Sequence, residues 1–217
     1  MPTVLGIDEA GRGPVIGPMV IAGVVIEVGD EKKLTALQVK DSKLLTPKQR
    51  TDLFKKILKI AKSYEILIVP PSEIDFAVRG EDGLNLNWLE ARKSAEIINK
   101  LAPGKAIIDC PSPNISEYTG YIKNLLNTDT ELVLEHKADE NYVVVSAASI
   151  LAKVTRDEEI AKLKKVYGDI GSGYPADPKT KEFLEENWDK TPEIFRKSWA
   201  CYANFAKGKG QKRLKEF

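Results

Sequence analysis

Five short apolar runs, rich in β-branched residues, punctuate this chain, and their order limits what it can fold into. Residues 4–7 and 19–26 form the first two. Only Asp8-Glu9 and a segment opening Gly11-Arg12-Gly13-Pro14 and its neighbours lie between them, so they pair as antiparallel strands. Residues 64–69, closed by Pro70-Pro71, make a third. Runs at 106–109 and 131–135 then alternate with segments of helical periodicity. Three consecutive strands followed by strand–helix alternation predict an α/β chain, a five-stranded mixed sheet flanked by helices.

The helices carry their own start signals. Thr46 is placed to cap a helix, with Pro47 at its first position and Gln49 completing a capping box. Leu53, Phe54, Ile57, Leu58 and Ala61 then form one apolar stripe. A second helix is predicted over 86–101, with Leu89, Ile97, Ile98 and Leu101 inward. A third is capped by Asn114, with Glu117 three residues on. A long helix is predicted over 139–167, a Gly/Pro-rich loop over 168–178, and two more helices starting near Pro178 and near Thr191-Pro192. The expected organisation is a main domain over 1–177, a helical C-terminal extension over 178–206 and a basic tail over 207–217.

Composition excludes several classes of function. A chain of 217 residues, 42% hydrophobic and 30% charged, is long enough to bury a core without disulfides or metal staples. No apolar run reaches bilayer length, and Met1-Pro2-Thr3 has no basic signal-peptide start, so a cytoplasmic protein is expected, with no membrane partner and no obligate second subunit. Cys110 and Cys201 have no metal-type spacing and read as free thiols. Net charge is only +1, but residues 196–217 hold seven Lys/Arg against Glu216 alone. A basic end on an otherwise acidic chain points to a polyanionic partner or to a solvated tail.

Against 32 acids, most of which must be solvated, two stand out by position. Asp8 and Asp109 each end an apolar run, where adjacent parallel strands would bring their carboxylates together. Ligands of open α/β sheets gather at such carboxyl ends. Glu9 follows Asp8, but successive strand residues face opposite ways. Both serve one site only if the strand twists or breaks, which Gly11 and Gly13 allow. Asp139, at the expected start of the long helix, reads either as its N-cap or as a metal ligand. Clustered carboxylates bind hard cations through oxygen, and two Mg²⁺ or Mn²⁺ ions can promote phosphoryl displacement without a protein nucleophile. The single histidine, His136, is either a surface residue at a strand end or a proton shuttle.

Five blocks, in order, carry a family resemblance: residues 6–13 (Gly-Ile-Asp-Glu-Ala-Gly-Arg-Gly), Asp41-Ser42-Lys43-Leu44-Leu45, Ile108-Asp109, Lys137-Ala138-Asp139 with 145–157, and Gly171-Ser172-Gly173-Tyr174-Pro175. Together they resemble the ribonuclease HII family, in its archaeal form. The resemblance implies a ribonuclease H-like fold and metal-dependent cleavage of RNA/DNA hybrids and of single ribonucleotides in duplex DNA, leaving 5′-phosphate and 3′-hydroxyl ends. It implies Asp8, Glu9, Asp109 and Asp139 as metal-binding catalytic acids. It implies Gly11, Arg12 and Gly13 as readers of the ribonucleotide 2′-OH, Tyr174 as a stacking residue at the RNA–DNA junction, and Lys43 and Arg156 as phosphate contacts. Near the C-terminus, Gln211, Leu214 and Phe217 form Q-x-x-L-x-x-F, similar to a peptide that docks on the DNA sliding clamp, although it has one terminal aromatic instead of two. Two rival readings use the same residues. Sugar kinases and related ATPases also place a strand-end Asp beside glycines, but need a second similar half that this repeat-free chain lacks. A non-catalytic module gripping hybrid duplex through the basic tail would bind without cutting.

Overall fold

The computed structural model describes residues 2–39 and 45–215, except for the side chains of residues 81 and 209–215. Five strands, β1 (Thr3–Ala10), β2 (Met19–Glu27), β3 (Ser63–Val69), β4 (Lys105–Asp109) and β5 (Glu131–Glu135), form one sheet in the order β3-β2-β1-β4-β5. The helices are α1 (Glu31–Ala36), α2 (Pro47–Ile60), α3 (Pro71–Val78), α4 (Leu86–Leu101), α5 (Ile115–Leu125), α6 (Ala138–Asn141), α7 (Val143–Tyr167), α8 (Pro178–Asn187) and α9 (Ala200–Lys215). The expected mixed sheet is present: β1 is antiparallel to β2 and parallel to β4, and β4 is parallel to β5.

By Cα proximity the chain forms two compact units that interleave in sequence. The first comprises Met1–Ala10, Val20–Ile68 and Leu86–Arg156. It holds the sheet. On one face, Val4 of β1 and Val20, Ala22, Val24 and Ile26 of β2 bury against Leu34, Leu53, Ile57 and the first half of α7. The α2 stripe turns inward as its spacing predicts, and its N-terminus shows the capping box in full, with Thr46 and Gln49 exchanging hydrogen bonds. On the other face α4 approaches: a side chain at Gly23 would strike Ile97 and crowd Leu5. Even-numbered residues of β1 therefore face α7 and odd-numbered residues face α4.

Gly6 shows how closely the layers meet. A Cβ there would collide with the backbone of Val144 and Val145, so only glycine lets the first turn of α7 lie against β1, two residues before Asp8.

The second unit comprises Gly11–Met19, Val69–Asn85 and Asp157–Phe217. Its core is Val15, Ile16, Ile160, Ile170, Phe183, Leu184, Ile194, Phe195 and Tyr202. Phe195 sits at its centre, its ring 5.5 Å from Tyr202 and 6.0 Å from Phe183, and its backbone bridges to Ile16.

Several expectations are corrected. The helix predicted over 139–167 is two helices: Lys137 takes a left-handed conformation (φ 58°), α6 follows, and extended Tyr142 separates it from α7. Near Thr191-Pro192 there is one 3-10 turn, Pro192–Ile194, and the next helix begins at Ala200. That helix continues to Lys215, through most of the segment expected as a basic tail. Pro70-Pro71 ends β3 as expected, but Pro71 also opens α3, at a first helical position that needs no amide hydrogen. No helix among the described residues is long and apolar enough to cross a membrane.

Candidate metal centre and substrate loop

Register explains the meeting of the first two acids. The parallel ladder of β1 and β4 pairs Ile7 with Ile108, so Asp8 and Asp109 are the next step along each strand. Both project on the α7 face. The chain leaves β5 and turns at left-handed Lys137, and α6 then carries Asp139 to the same place. The Ala138 amide donates to Asp109 Oδ1 (3.3 Å), tying the start of α6 to the end of β4. Ser146 Oγ donates to the Asp139 carbonyl (2.5 Å), holding α6 against the first turn of α7. Asp139 lies inside α6 and is not an N-cap; Lys137 occupies that position.

One carboxylate oxygen from each of Asp8, Asp109 and Asp139 can lie within 4.8 Å of the other two. Asp8 and Asp139 are only 7% and 9% exposed, and Asp109 is half-buried. Three acids so close and so shielded oppose one another's ionisation. Burial, followed by the Asp109 charge, pushes the Asp8 carboxyl up to about 7. Hydrogen bonds resist that rise. Ser149 hydroxyl donates to Asp8, the Glu9 amide donates to Asp8 Oδ1 (2.7 Å), and Lys153 Nζ donates to Ser149 Oγ (2.6 Å). Ser149 and Lys153 are one turn apart on α7, so that helix face supplies donors and positive charge to Asp8. An all-oxygen, acidic, partly desolvated donor set suits a hard divalent cation, whose charge would relieve the repulsion. The residues present fit such an ion.

Glu9 is not one of the three. β1 runs unbroken through it to Ala10, pairing Asp8 with Ala22 and Glu9 with Ile21. The break that glycines could have allowed does not fall between residues 8 and 9. Glu9 faces the α4 side; burial, and with it the charges of Asp109, Glu9 and Glu90, pushes the Cys110 thiol up. Cys110 is buried and Cys201 half-buried, both free. His136 is exposed and its Nδ1 donates to the Cys110 carbonyl (2.9 Å).

Gly11, Arg12, Gly13 and Tyr174 belong to the second unit. Gly11 has φ 81°, open to glycine at no steric cost. The Gly173 carbonyl accepts from the amides of Val15 (2.8 Å) and Ile16 (3.2 Å). This brings the two loops together, and a Cβ on Gly13 would touch the Tyr174 ring at 3.7 Å. Tyr174 is 42% exposed, an aromatic face open to solvent. The loop beneath it is pinned by Thr180, whose Oγ1 accepts from the Gly173 amide and donates to the Ile170 carbonyl, both at 3.0 Å. Arg156 is buried on α7. Lys43 and Phe217 lie outside the described residues; Gln211 and Leu214 fall on α9, their side chains outside the described set.

Sequence reasoning passed over Ser149, Lys153 and Arg196. The first two lie on a helix face at i, i+4, a spacing that can mark a functional face. Arg196 was counted with the basic C-terminal segment, yet it is fully buried.

A family model, Ribonuclease HII, matches residues 5–202. The ribonuclease HII of Pyrococcus furiosus is 51% identical over 199 residues, covering 89% of this chain and 87% of the relative. The structure of ribonuclease H2 from Pyrococcus horikoshii OT3 superposes with TM-score 0.87 at 45% identity, covering 94% of this chain and 97% of that one. The ribonuclease HII of Archaeoglobus fulgidus, in a complex with PCNA, gives TM-score 0.82 at 42% identity over 91% and 95% of the two chains. With a match across nearly its whole length and acids meeting where its parallel strands end, the chain belongs to the ribonuclease HII family.

Proposed function

We propose that the chain is an endonuclease that hydrolyses the RNA strand of RNA/DNA hybrids and cuts at single ribonucleotides within duplex DNA. The observation that carries this is the convergence of Asp8, Asp109 and Asp139. Products with 5′-phosphate and 3′-hydroxyl ends require that a water oxygen bond to phosphorus, that the bond from phosphorus to the 3′ oxygen break, and that a proton end on that oxygen. Mg²⁺ or Mn²⁺, a pair of ions when fully loaded, supplies a more acidic attacking water and charge neutralisation at the leaving oxygen.

The chain's own residues do the rest. Asp8, Asp109 and Asp139 hold the ions, with Glu9 as a fourth acid from the opposite strand face. Ser149, itself supported by Lys153, orients the Asp8 carboxylate. The Gly11-Arg12-Gly13 backbone reads the ribose 2′-OH, the group that separates RNA from DNA. Tyr174 offers its exposed ring to the sugar that follows the ribonucleotide, which favours an RNA–DNA junction. Lys43 and Arg156 contact phosphates.

The test is a duplex bearing one ribonucleotide, incubated with and without Mg²⁺, with the cut mapped. Metal-dependent cleavage beside the ribonucleotide supports the proposal. Binding without cleavage would favour the non-catalytic module.

A second role has its own support. The structure of the Archaeoglobus relative is that of a complex with PCNA, and this chain carries Gln211, Leu214 and Phe217 at Q-x-x-L-x-x-F spacing. The C-terminus would dock on the sliding clamp. Deleting residues 211–217 should abolish clamp binding and leave cleavage of free duplex intact; undiminished clamp affinity would refute docking.

A further inference from the structure

Arg196 is 0% exposed, an unusual place for a guanidinium. Its donors fan out to one loop. Nη2 donates to the Gly11 carbonyl (2.6 Å), Nη1 to the Arg12 carbonyl (2.7 Å) and Nε to the Gly17 carbonyl (3.1 Å). Trp199 completes the arrangement: its Nε1 donates to the Gly13 carbonyl (2.9 Å), and its ring lies 4.9 Å from the guanidinium carbon. Three successive carbonyls, those of Gly11, Arg12 and Gly13, are thus drawn to one side.

Peptide planarity fixes the consequence. In a trans peptide the N–H points opposite to the C=O, and there are no cis peptide bonds among the described residues. Holding the Gly11 and Arg12 carbonyls toward Arg196 turns the amides of Arg12 and Gly13 to the other side. The next residue, Pro14, has no amide hydrogen to offer. A cation on each carbonyl also polarises its peptide and strengthens the attached N–H as a donor.

We propose that Arg196, assisted by Trp199, is a positioning residue for ribose recognition. It sets and strengthens the pair of backbone donors that discriminate a ribonucleotide from a deoxyribonucleotide, without touching the substrate. This rests on the reading of Gly11-Arg12-Gly13 as the 2′-OH contact. The requirement is for the fork as well as the charge: lysine keeps the cation but cannot reach three carbonyls in fixed directions.

The test measures binding of the full chain, in Ca²⁺, to duplexes bearing one ribonucleotide or one deoxyribonucleotide at the same position, together with Mg²⁺-dependent cleavage. Arg196→Lys should lower the ribo-to-deoxy binding ratio about tenfold. Trp199→Phe, which keeps an aromatic ring of smaller size and removes the donor to Gly13, should lower it about threefold. Binding of Mn²⁺ should change in neither. Cleavage by Arg196→Lys should fall for the ribonucleotide substrate alongside the ratio. If Arg196→Lys does not fold, Trp199→Phe decides. Ratios unchanged in a wild type that does discriminate and cleave would overturn the inference. A wild type that neither discriminates nor cleaves would instead overturn the functional reading itself.

Discussion

The two units of this molecule hold polar groups in place by different means. In the sheet-bearing unit, side chains on regular elements do the presenting. Asp8 and Asp109 sit one register step beyond paired isoleucines, and Asp139 rides a short helix tied back by the Ala138 amide and Ser146. In the second unit the chain itself is presented. Buried side chains, Arg196 and Thr180, grip backbone groups so that loops keep one shape. A charged metal ion calls for charged ligands at a rigid strand end, whereas telling one hydroxyl from a hydrogen calls for fixed directional donors, which backbone provides. On the proposed reading the first unit carries the metal centre and the second the ribose-reading loop, so perturbing that loop should change substrate choice and leave metal affinity intact.

The largest effect should come from the acids. Asp8→Asn or Asp109→Asn should cut kcat/KM by about a thousandfold, roughly 4 kcal/mol of transition-state stabilisation, with duplex affinity little changed. Steady-state cleavage beside a binding assay reads both, and an active Asp109→Asn enzyme would break the division. Next, Tyr174→Ala should lower cleavage at an RNA–DNA junction by about thirtyfold, the size of a lost stacking contact, while Mn²⁺ affinity holds. Equal losses on junction and all-RNA strands would show that Tyr174 does not select the junction. Ser149→Ala removes the donor that favours ionised Asp8 and should weaken Mn²⁺ binding by about tenfold, seen by calorimetry.

The pH effect is of similar or smaller size. The Asp8 carboxyl, raised to about 7 by burial and by Asp109, must lose its proton to bind metal. Metal affinity should therefore rise with pH up to about 7, by at most about tenfold per unit, and level off above it. The sign for folding is the reverse. An acid raised above its unfolded value near 3.8 binds more protons folded than unfolded, so the metal-free protein should lose stability as pH climbs from about 4 to 7. Thermal unfolding without metal, run across that range, checks the direction.

Asp8 and Asp109 are legible in the sequence because an acid ending an apolar strand is costly unless something pairs with it. The five strands and the capped starts of α2 and α5 are legible because their signals are local. Asp139 was ambiguous by spacing, since its role depends on a left-handed turn at Lys137, where nothing in the residue type demands one. Glu9 was placed beside Asp8 in sequence, but strand alternation turns it to the opposite face. Arg196 was invisible for a deeper reason. Its partners are carbonyls roughly 180 residues away, and every residue has a carbonyl, so no residue type at the other end marks the contact.

On this reading Asp8, Asp109 and Asp139 make one metal centre whose affinity does not depend on Tyr174. The check is calorimetric titration of Mn²⁺ into the wild type, Asp109→Asn and Tyr174→Ala. Tyr174→Ala should keep wild-type affinity and Asp109→Asn should bind at least about a hundredfold more weakly. Wild-type affinity in Asp109→Asn would contradict it.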